Sequence, residues 1–259
     1  MPTALITGAT AGIGAAFSRH LAAAGYGLVL VARDAERLNQ SRATLLSFGA
    51  PTVETIVADL TVADQRAEVA DRLNGQSGES VDLLINNAGI GLGKEFPEAT
   101  DSEILGQLEI NVTAPVLLAH AVLPGMRERG HGAIINVASI AGLVPGRGTT
   151  YAGSKAFVVS FSEGLAMSLR DTGVRVQALC PGFVRTEFHE RAAIDMSGMP
   201  AALYVDIDVL VETSMRDLRR NKILSVPGRL YSSLAVAVRL LPRALVRTAA
   251  ARVNDGKRT

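Results

Sequence analysis

A glycine-rich turn between an apolar strand and an apolar-periodic helix restricts the folds open to this chain. It joins the strand Pro2–Thr7 to the helix Ala15–Ala24. Glycine permits positive φ angles and close approach to an anion, and the first amides of a helix attract negative charge. We therefore predict a βαβ unit with a pyrophosphate site, although the spacing Gly-xxx-Gly-x-Gly departs from the commoner dinucleotide fingerprint. The residues assigned to this site are Gly8, Thr10, Ala11, Gly12, Ile13 and Gly14.

Strand-like and helix-like patterns alternate along the rest of the chain, which predicts an α/β fold with helices on both faces of a doubly wound parallel sheet. With 259 residues and 48% hydrophobic composition, we expect one domain. No basic leader precedes the first strand, and no charge-free apolar run approaches the roughly 20 residues of a spanning helix. Cys180 is the only cysteine, which excludes intrachain disulfides and a cysteine-built metal site. A cytoplasmic location is therefore expected.

The second strand, Gly27–Ala32, ends where a dinucleotide site contacts the adenosine ribose. An acidic residue there would bind a free 2′-hydroxyl, whereas this chain has Arg33 next. A guanidinium can bind a 2′-phosphate through two parallel hydrogen bonds, so we predict NADP(H) as the cofactor. Arg37, one helical turn further on, and Thr10 either add contacts or are ordinary surface residues. Asp34 is expected to cap the following helix.

Three other strand ends carry residues suited to a dinucleotide. The carboxylate after the third strand either accepts the adenine amino group or caps the next helix. Asn86-Asn-Ala-Gly89 suits close packing beside a ribose, although alone it is also an ordinary turn. The Pro-Gly turn after the strand Val174–Cys180, with the amides and hydroxyl that follow, suits the nicotinamide carboxamide. The residues assigned here are Asp59, Leu60, Asn87, Ala88, Gly89, Pro181, Gly182, Val184 and Thr186.

Tyr151 and Lys155 lie four residues apart at the start of a predicted helix, Ala152–Asp171, so their side chains share one face. A free tyrosine has a pKa of roughly 10, and a nearby ammonium is expected to lower that pKa and so favour proton exchange. Ser139 follows the buried strand Ala133–Ala138, at the sheet edge where open α/β folds bind ligands. The Tyr/Lys pair alone is also typical of a solvated helix face. Together the three residues predict a carbonyl-reducing site.

Asn111 lies in the apolar middle of a long helical region, Pro97–Met126, and is expected to be buried. A buried asparagine must be hydrogen-bonded. Behind the Tyr/Lys pair, it could hold a water in a proton relay. The alternative is a polar residue that bends the helix near Pro115.

The chain resembles the short-chain dehydrogenase/reductase family over about residues 3 to 190. The motifs that carry the resemblance are Thr7-Gly8-xxx-Gly12-Ile13-Gly14, Asn86-Asn87-Ala88-Gly89, Asn111, Ser139, Tyr151-xxx-Lys155 and Pro181-Gly182.

That resemblance implies a Rossmann-type, seven-stranded parallel sheet and a catalytic tetrad. In the tetrad, Ser139 holds the carbonyl oxygen and Tyr151 donates the proton. Lys155 binds the nicotinamide ribose and lowers the tyrosine pKa, and Asn111 positions a relay water. The chain departs from the family in two ways: Ala138 replaces a second serine, and the interval from Ser139 to Tyr151 is one residue shorter than is frequent. Both are expected to reshape the pocket wall without disabling the site.

The predicted function is NADP(H)-dependent reduction of an apolar ketone, of β-ketoacyl, acyl-thioester or steroid-like type, to a secondary alcohol. Residues 1–190 form the predicted catalytic core, and 191–259 a substrate-covering segment and a basic helical extension of the same domain. The stretch Glu187–Asp206 is interpreted as a mobile cover. Two alternatives are a non-catalytic NADP-sensing scaffold and a sugar or polyol dehydrogenase, which would need more polar groups in the cover. The apolar side chains of the cover are Phe188, Met196, Met199 and Leu203.

The carboxyl-terminal stretch is strongly basic, with 11 Lys/Arg against 2 Asp/Glu in residues 216–259. Arg239, Arg243 and Arg247 recur every four residues beside leucines. This pattern suits peripheral contact with an anionic membrane or an acyl carrier, or else a helix docked on its own domain with a solvated arginine face. Nucleic-acid binding is not expected, because interleaved aromatics are missing. The apolar stretch 157–169 agrees with the homodimer or homotetramer that the resemblance implies.

Overall fold

The structure, a computed structural model, describes residues 1–75, 78–144, 149–192 and 200–241 and the single positions 244, 246 and 248, without the side chains of 189, 191 and 239. The strands are β1 (Thr3–Thr7), β2 (Gly27–Ala32), β3 (Val53–Val57), β4 (Leu83–Asn86), β5 (Gly132–Val137), β6 (Val174–Leu179) and β7 (Leu224–Ser225). The α-helices described are α1 (Gly12–Ala23), α2 (Ala35–Ser47), α3 (Ala63–Leu73), α4 (Asp101–Leu108), α5 (Ala114–Arg129), α6 (Thr149–Ser168), α7 (Glu187–Arg191), α8 (Ile207–Arg219) and α9 (Arg229–Leu240).

The seven strands form one parallel sheet in the order β3-β2-β1-β4-β5-β6-β7, which confirms the predicted fold class. The chain builds outward from β1 through β2 to β3, then crosses to the other side of β1 and continues through β4. The carboxyl ends of β1 and β4 therefore flank the point where the strand order reverses. Open α/β sheets bind ligands in the crevice at such a point.

Period-2 alternation in the strands gives the sheet two buried faces. In β1, Ala4 and Ile6 pack in a core with α1, α2 and α8, whereas Leu5 points into the opposite core with α3 and α5. Every residue of β1 is buried, as expected for a central parallel strand covered by helices on both sides.

The structure differs from the predicted elements mainly in two places. The long helical region is divided into α4, a π-helical turn (Glu109–Thr113) and α5. The last strand, β7, lies within residues 191–259, so this stretch completes the sheet and is more than an appended cover and tail.

Among the described residues, the helical stretch Asp101–Arg129 has the length and apolar composition of a helix that could span a membrane. In the fold, α5 packs against α3 and against β4 and β5. This packing is that of a core helix.

Candidate active site

The glycine turn is built for close backbone approach. Gly8 and Gly12 have positive φ angles of 64° and 51°. A Cβ added at Gly14 would overlap the carbonyl oxygen of Gly8, so glycine is required there by packing. Helix α1 then begins at Gly12 after Ala11, which provides no side-chain cap. Its first amides therefore remain available for an anion.

The end of β4 is tied directly to this turn. The Thr7 hydroxyl accepts hydrogen bonds from the amides of Asn87 and Ala88, both at 3.0 Å. The side-chain amide of Asn87 donates to the carbonyls of Thr7 at 2.9 Å and Gly8 at 3.1 Å. Asn87, assigned from sequence to cofactor contact, thus holds the two strand ends together.

The ends of β2 and β3 place Arg33 beside Asp59, with 3.8 Å between their nearest charged atoms. One Asp59 oxygen accepts hydrogen bonds from the amide and hydroxyl of Thr61. Asp59 does not cap α3, whose N-cap is Val62 with no side-chain cap, so the predicted capping role is wrong and the Thr61 hydrogen bonds close a local turn instead. Partial burial opposes ionisation, but the Thr61 hydrogen bonds and Arg33 outweigh it and lower the pKa of Asp59. The Arg33 side chain stays 62% exposed, and Asp34 caps α2 as predicted, accepting from the amide of Arg37.

Arg37 joins three parts of the site. Its guanidinium donates to both carboxylate oxygens of Glu187, at 2.7 and 3.0 Å, and to the carbonyl of Thr10 at 3.2 Å. Glu187 opens α7, and the preceding Thr186 caps that helix. The Thr186 side chain lies 3.1 Å from where a Cβ on Gly12 would stand. The start of α7 therefore rests on the glycine turn.

Tyr151 lies in the first turn of α6, where Ser139 reaches it from the end of β5. Burial raises the pKa of Tyr151 to about 12, and a hydrogen bond with Ser139 opposes that rise. The expectation that Lys155 brings the phenol pKa below its ordinary value is wrong for the chain in this structure, because desolvation dominates. The Ser139 hydroxyl also accepts from the amide of Ala141 at 3.1 Å, which fixes its position.

Lys155 is buried one turn after Tyr151, with its ammonium nitrogen 5.7 Å from the centre of the phenol ring. It donates to the carbonyl of Val137 at 2.9 Å. Burial lowers the pKa of Lys155 to about 8. Tyr151 and Lys155 therefore share a helix face as predicted, and that face is turned toward the protein interior.

Asn111 lies in the π-helical turn and is fully buried, as predicted. Its oxygen accepts from the amide of Ile90 at 2.9 Å, and its nitrogen donates to the carbonyl of Ile90 at 3.0 Å and to the hydroxyl of Ser154 at 3.1 Å. A Cβ on Gly89 would be 3.0 Å from the Asn111 oxygen and 3.3 Å from the Lys155 nitrogen. The structure thus brings Asn111 and Lys155 together at the end of β4. π-Helical turns occur frequently at functional sites.

The Pro-Gly turn after β6 is shaped by the carboxyl-terminal region. A Cβ on Gly182 would overlap the ring of Tyr231, so α9 can pack here only because residue 182 has no side chain. The Tyr231 hydroxyl donates to the carbonyl of Leu203 at 2.7 Å, and Val184 is buried. Helix α9 is therefore docked on its own domain over the described residues. The arginines that recur every four residues in the sequence lie outside the residues that the structure describes: this holds for Arg243, for Arg247 and for the side chain of Arg239.

Phe188 in α7 covers the phenol. The ring centres of Phe188 and Tyr151 are 5.6 Å apart, and a Cβ on Gly91 would lie 3.3 Å from the Phe188 ring. The described residues of the predicted cover include α7 and a 3₁₀ turn (Ala201–Leu203). Met196 and Met199, predicted to line it, lie outside the described residues.

A sequence model described as short chain dehydrogenase matches residues 2–196. The chain belongs to that family. It is an oxidoreductase of the short-chain dehydrogenase type, with the matching region ending just after α7.

Solved short-chain dehydrogenases share the fold closely. A short-chain dehydrogenase of Sphingobium yanoikuyae in complex with NADPH is 36% identical, with a TM-score of 0.84 over 92% of this chain and 93% of that one. A bulky-bulky ketone specific alcohol dehydrogenase of Comamonas testosteroni is 32% identical, with a TM-score of 0.79 over 100% of this chain and 95% of that one.

The chain is also similar in sequence to a very-long-chain 3-oxoacyl-CoA reductase of Anas platyrhynchos, which is 35% identical over 71% of this chain and 60% of its own length.

Several residues of this short-chain dehydrogenase contribute to the site but were not predicted from the sequence. Ser154 could have been predicted, because it lies between Tyr151 and Lys155, three residues after Tyr151. Glu187 and the carbonyls of Ile90 and Val137 carried none, since their partners are distant in the chain. A contact of this kind depends on how the elements pack.

Proposed function

We propose that this short-chain dehydrogenase uses NADP(H) to reduce the carbonyl of an apolar ketone to a secondary alcohol. The observation that carries the proposal is the placement of the Tyr151 phenol, which lies against the Phe188 ring with the Lys155 ammonium 5.7 Å from its ring centre and with Ser139 near enough to influence its pKa. The phenol lies at the same sheet edge as the glycine turn.

The glycine turn fits a dinucleotide. Its tight glycines and the uncapped start of α1 leave backbone amides for a pyrophosphate. Arg33 stands where an acidic residue would select a free 2′-hydroxyl, which supports NADP(H). The Sphingobium relative, which binds NADPH, adds to this support. When bound, the nicotinamide supplies the hydride.

The chain's own residues hold the carbonyl oxygen and supply a proton. Ser139 and Tyr151 both donate hydrogen bonds to the oxygen as negative charge develops on it, and Tyr151 gives up the phenolic proton. One such donor is worth about 3 kcal/mol of transition-state stabilisation. Lys155 would hold the nicotinamide ribose, and its ammonium would stabilise the negative charge that forms on the phenol oxygen as the proton leaves. Asn111 positions the water that returns a proton toward Lys155.

Apolar contact at the cover supports a ketone without charged groups. Phe188 faces the phenol, and Leu203 lies in the 3₁₀ turn tied to α9 through Tyr231. The relatives that act on a bulky ketone and on a 3-oxoacyl-CoA agree with a β-ketoacyl, acyl-thioester or steroid-like substrate. In this proposal residues 1–190 carry the catalytic machinery, and 191–259 shape the substrate end.

We place the enzyme in the cytoplasm as a homodimer or homotetramer. Helix α6 supports such an assembly, because Phe157 is 45% and Met167 75% exposed on its outer side. Peripheral membrane contact would involve α9, where Leu230, Leu234 and Leu240 are exposed.

The test is NADPH consumption across ketones of increasing chain length, with wild-type protein and Tyr151→Phe. We expect turnover of apolar ketones by the wild type, and loss of turnover with nearly unchanged NADPH affinity in the variant. Tyr26→Phe, at the opposite end of the sheet, is the matched control. Retained turnover in Tyr151→Phe would remove Tyr151 from its proposed role.

A further inference from the structure

Beside the glycine turn, the guanidinium of Arg37 is paired with an acidic side chain. Arg37 makes its two short hydrogen bonds to Glu187, 150 residues away, and its third to the carbonyl of Thr10 inside the turn. The Glu187 carboxylate is therefore held at the edge of the groove that the proposed function assigns to cofactor phosphates.

This arrangement is electrostatically unfavourable for a bound dinucleotide. A carboxylate near a phosphate repels it, and the guanidinium that attracts phosphate is already paired. Separating Arg37 from Glu187 should cost little free energy. Their side chains are 34% and 43% exposed, and ion pairs of this exposure contribute little net free energy.

We propose that Glu187 is a removable anion that occupies Arg37 until a phosphate of the cofactor replaces it. Glu187 thereby sets the cofactor affinity: it keeps Arg37 oriented toward Thr10 in the free protein and weakens dinucleotide binding by competing for the same guanidinium. This inference rests on the proposed NADP(H) site and adds a residue that acts against binding.

The test is a double-mutant cycle on binding, measured by calorimetry with NADPH and with adenosine 2′,5′-bisphosphate, which lacks the nicotinamide. We expect Glu187→Gln to bind both ligands about two- to fivefold more tightly than wild type, the range that an exposed ion pair allows. In an Arg37→Met background, the same substitution should give no gain. The matched control is Glu190→Gln, which removes an exposed carboxylate from the same helix and should leave both affinities unchanged.

The outcomes separate the explanations. A Glu187→Gln variant that binds NADPH equally or more weakly overturns the inference, and so does a gain of equal size in the Arg37→Met background, which would indicate simple removal of negative charge. A wild-type chain that binds neither ligand overturns the proposed function as well. A wild type that binds both while Glu187→Gln gains nothing overturns only the role of Glu187.

Discussion

The ammonium of Lys155 donates a hydrogen bond to the main-chain carbonyl of Val137 at 2.9 Å, beneath the helix turn that carries Tyr151. This bond ties α6 to the end of β5. It also removes the ammonium from water, so the two groups of the predicted acid–base pair are both desolvated. Burial disfavours the charged form of each group, so it raises the pKa of the Tyr151 phenol and lowers the pKa of the Lys155 amine.

Lys155→Met should change how stability depends on pH. The folded pKa of about 8 lies below the unfolded value of roughly 10.4, so between these values the unfolded chain binds more protons and wild-type stability rises with pH. Relative to Lys155→Met, the wild type should gain about 2 kcal/mol in free energy of unfolding from pH 7.5 to 9.5. Urea unfolding of both cofactor-free proteins measures this gain. Parallel dependence on pH would contradict a buried, desolvated ammonium.

Gly14→Ala should abolish the cofactor cradle. The added methyl group overlaps the carbonyl of Gly8 and crowds the Asn87 amide, which should cost about 1–3 kcal/mol of stability and weaken NADPH binding strongly. Gly153→Ala is the control, because nothing beyond its chain neighbours and the nearby backbone of α6 lies within 4 Å of its Cβ position. That change should raise stability by up to about 1 kcal/mol. Thermal melting and NADPH titration compare the two, and equal behaviour would refute the steric argument.

Arg33→Asp should reverse the cofactor preference. Losing a charge-assisted hydrogen bond to the 2′-phosphate and gaining an acceptor for a free hydroxyl should shift the NADPH-to-NADH ratio of kcat/KM at least about tenfold toward NADH. The 62% exposure of the Arg33 side chain indicates that folding tolerates the change. Arg42→Asp, an exposed site on α2, removes the same charge and serves as the control. An unchanged ratio in Arg33→Asp would exclude Arg33 as the selecting residue.

Ser154→Ala tests whether Asn111 is positioned for catalysis. The substitution removes the acceptor for one Asn111 hydrogen bond and should lower stability by about 1–2 kcal/mol. If Asn111 holds a relay water, kcat should also fall while KM for the ketone stays nearly constant, and Ser154→Thr should restore both. Lower stability with wild-type kcat would leave Asn111 a purely structural role.

Local features of the chain were predictable because they depend on neighbours in sequence. Asp34 caps α2 as predicted, since a capping side chain acts on the first turn of its own helix. Tyr151 and Lys155 share a face because side chains four residues apart on a helix lie one above the other. By contrast, the short edge strand β7 was not recognised, because two residues show no period.

The sequence by itself determined the alternation of strands and helices, the glycine turn and the order of the tetrad motifs, since propensity, spacing and family resemblance are encoded along the chain. Tertiary structure alone decided that Glu187 pairs with Arg37, that Phe188 covers Tyr151 and that Lys155 is desolvated. Each of these depends on which distant surfaces meet and exclude water. Burial, which shifts a pKa or makes an ion pair replaceable, exists only once the sheet and its helices have packed.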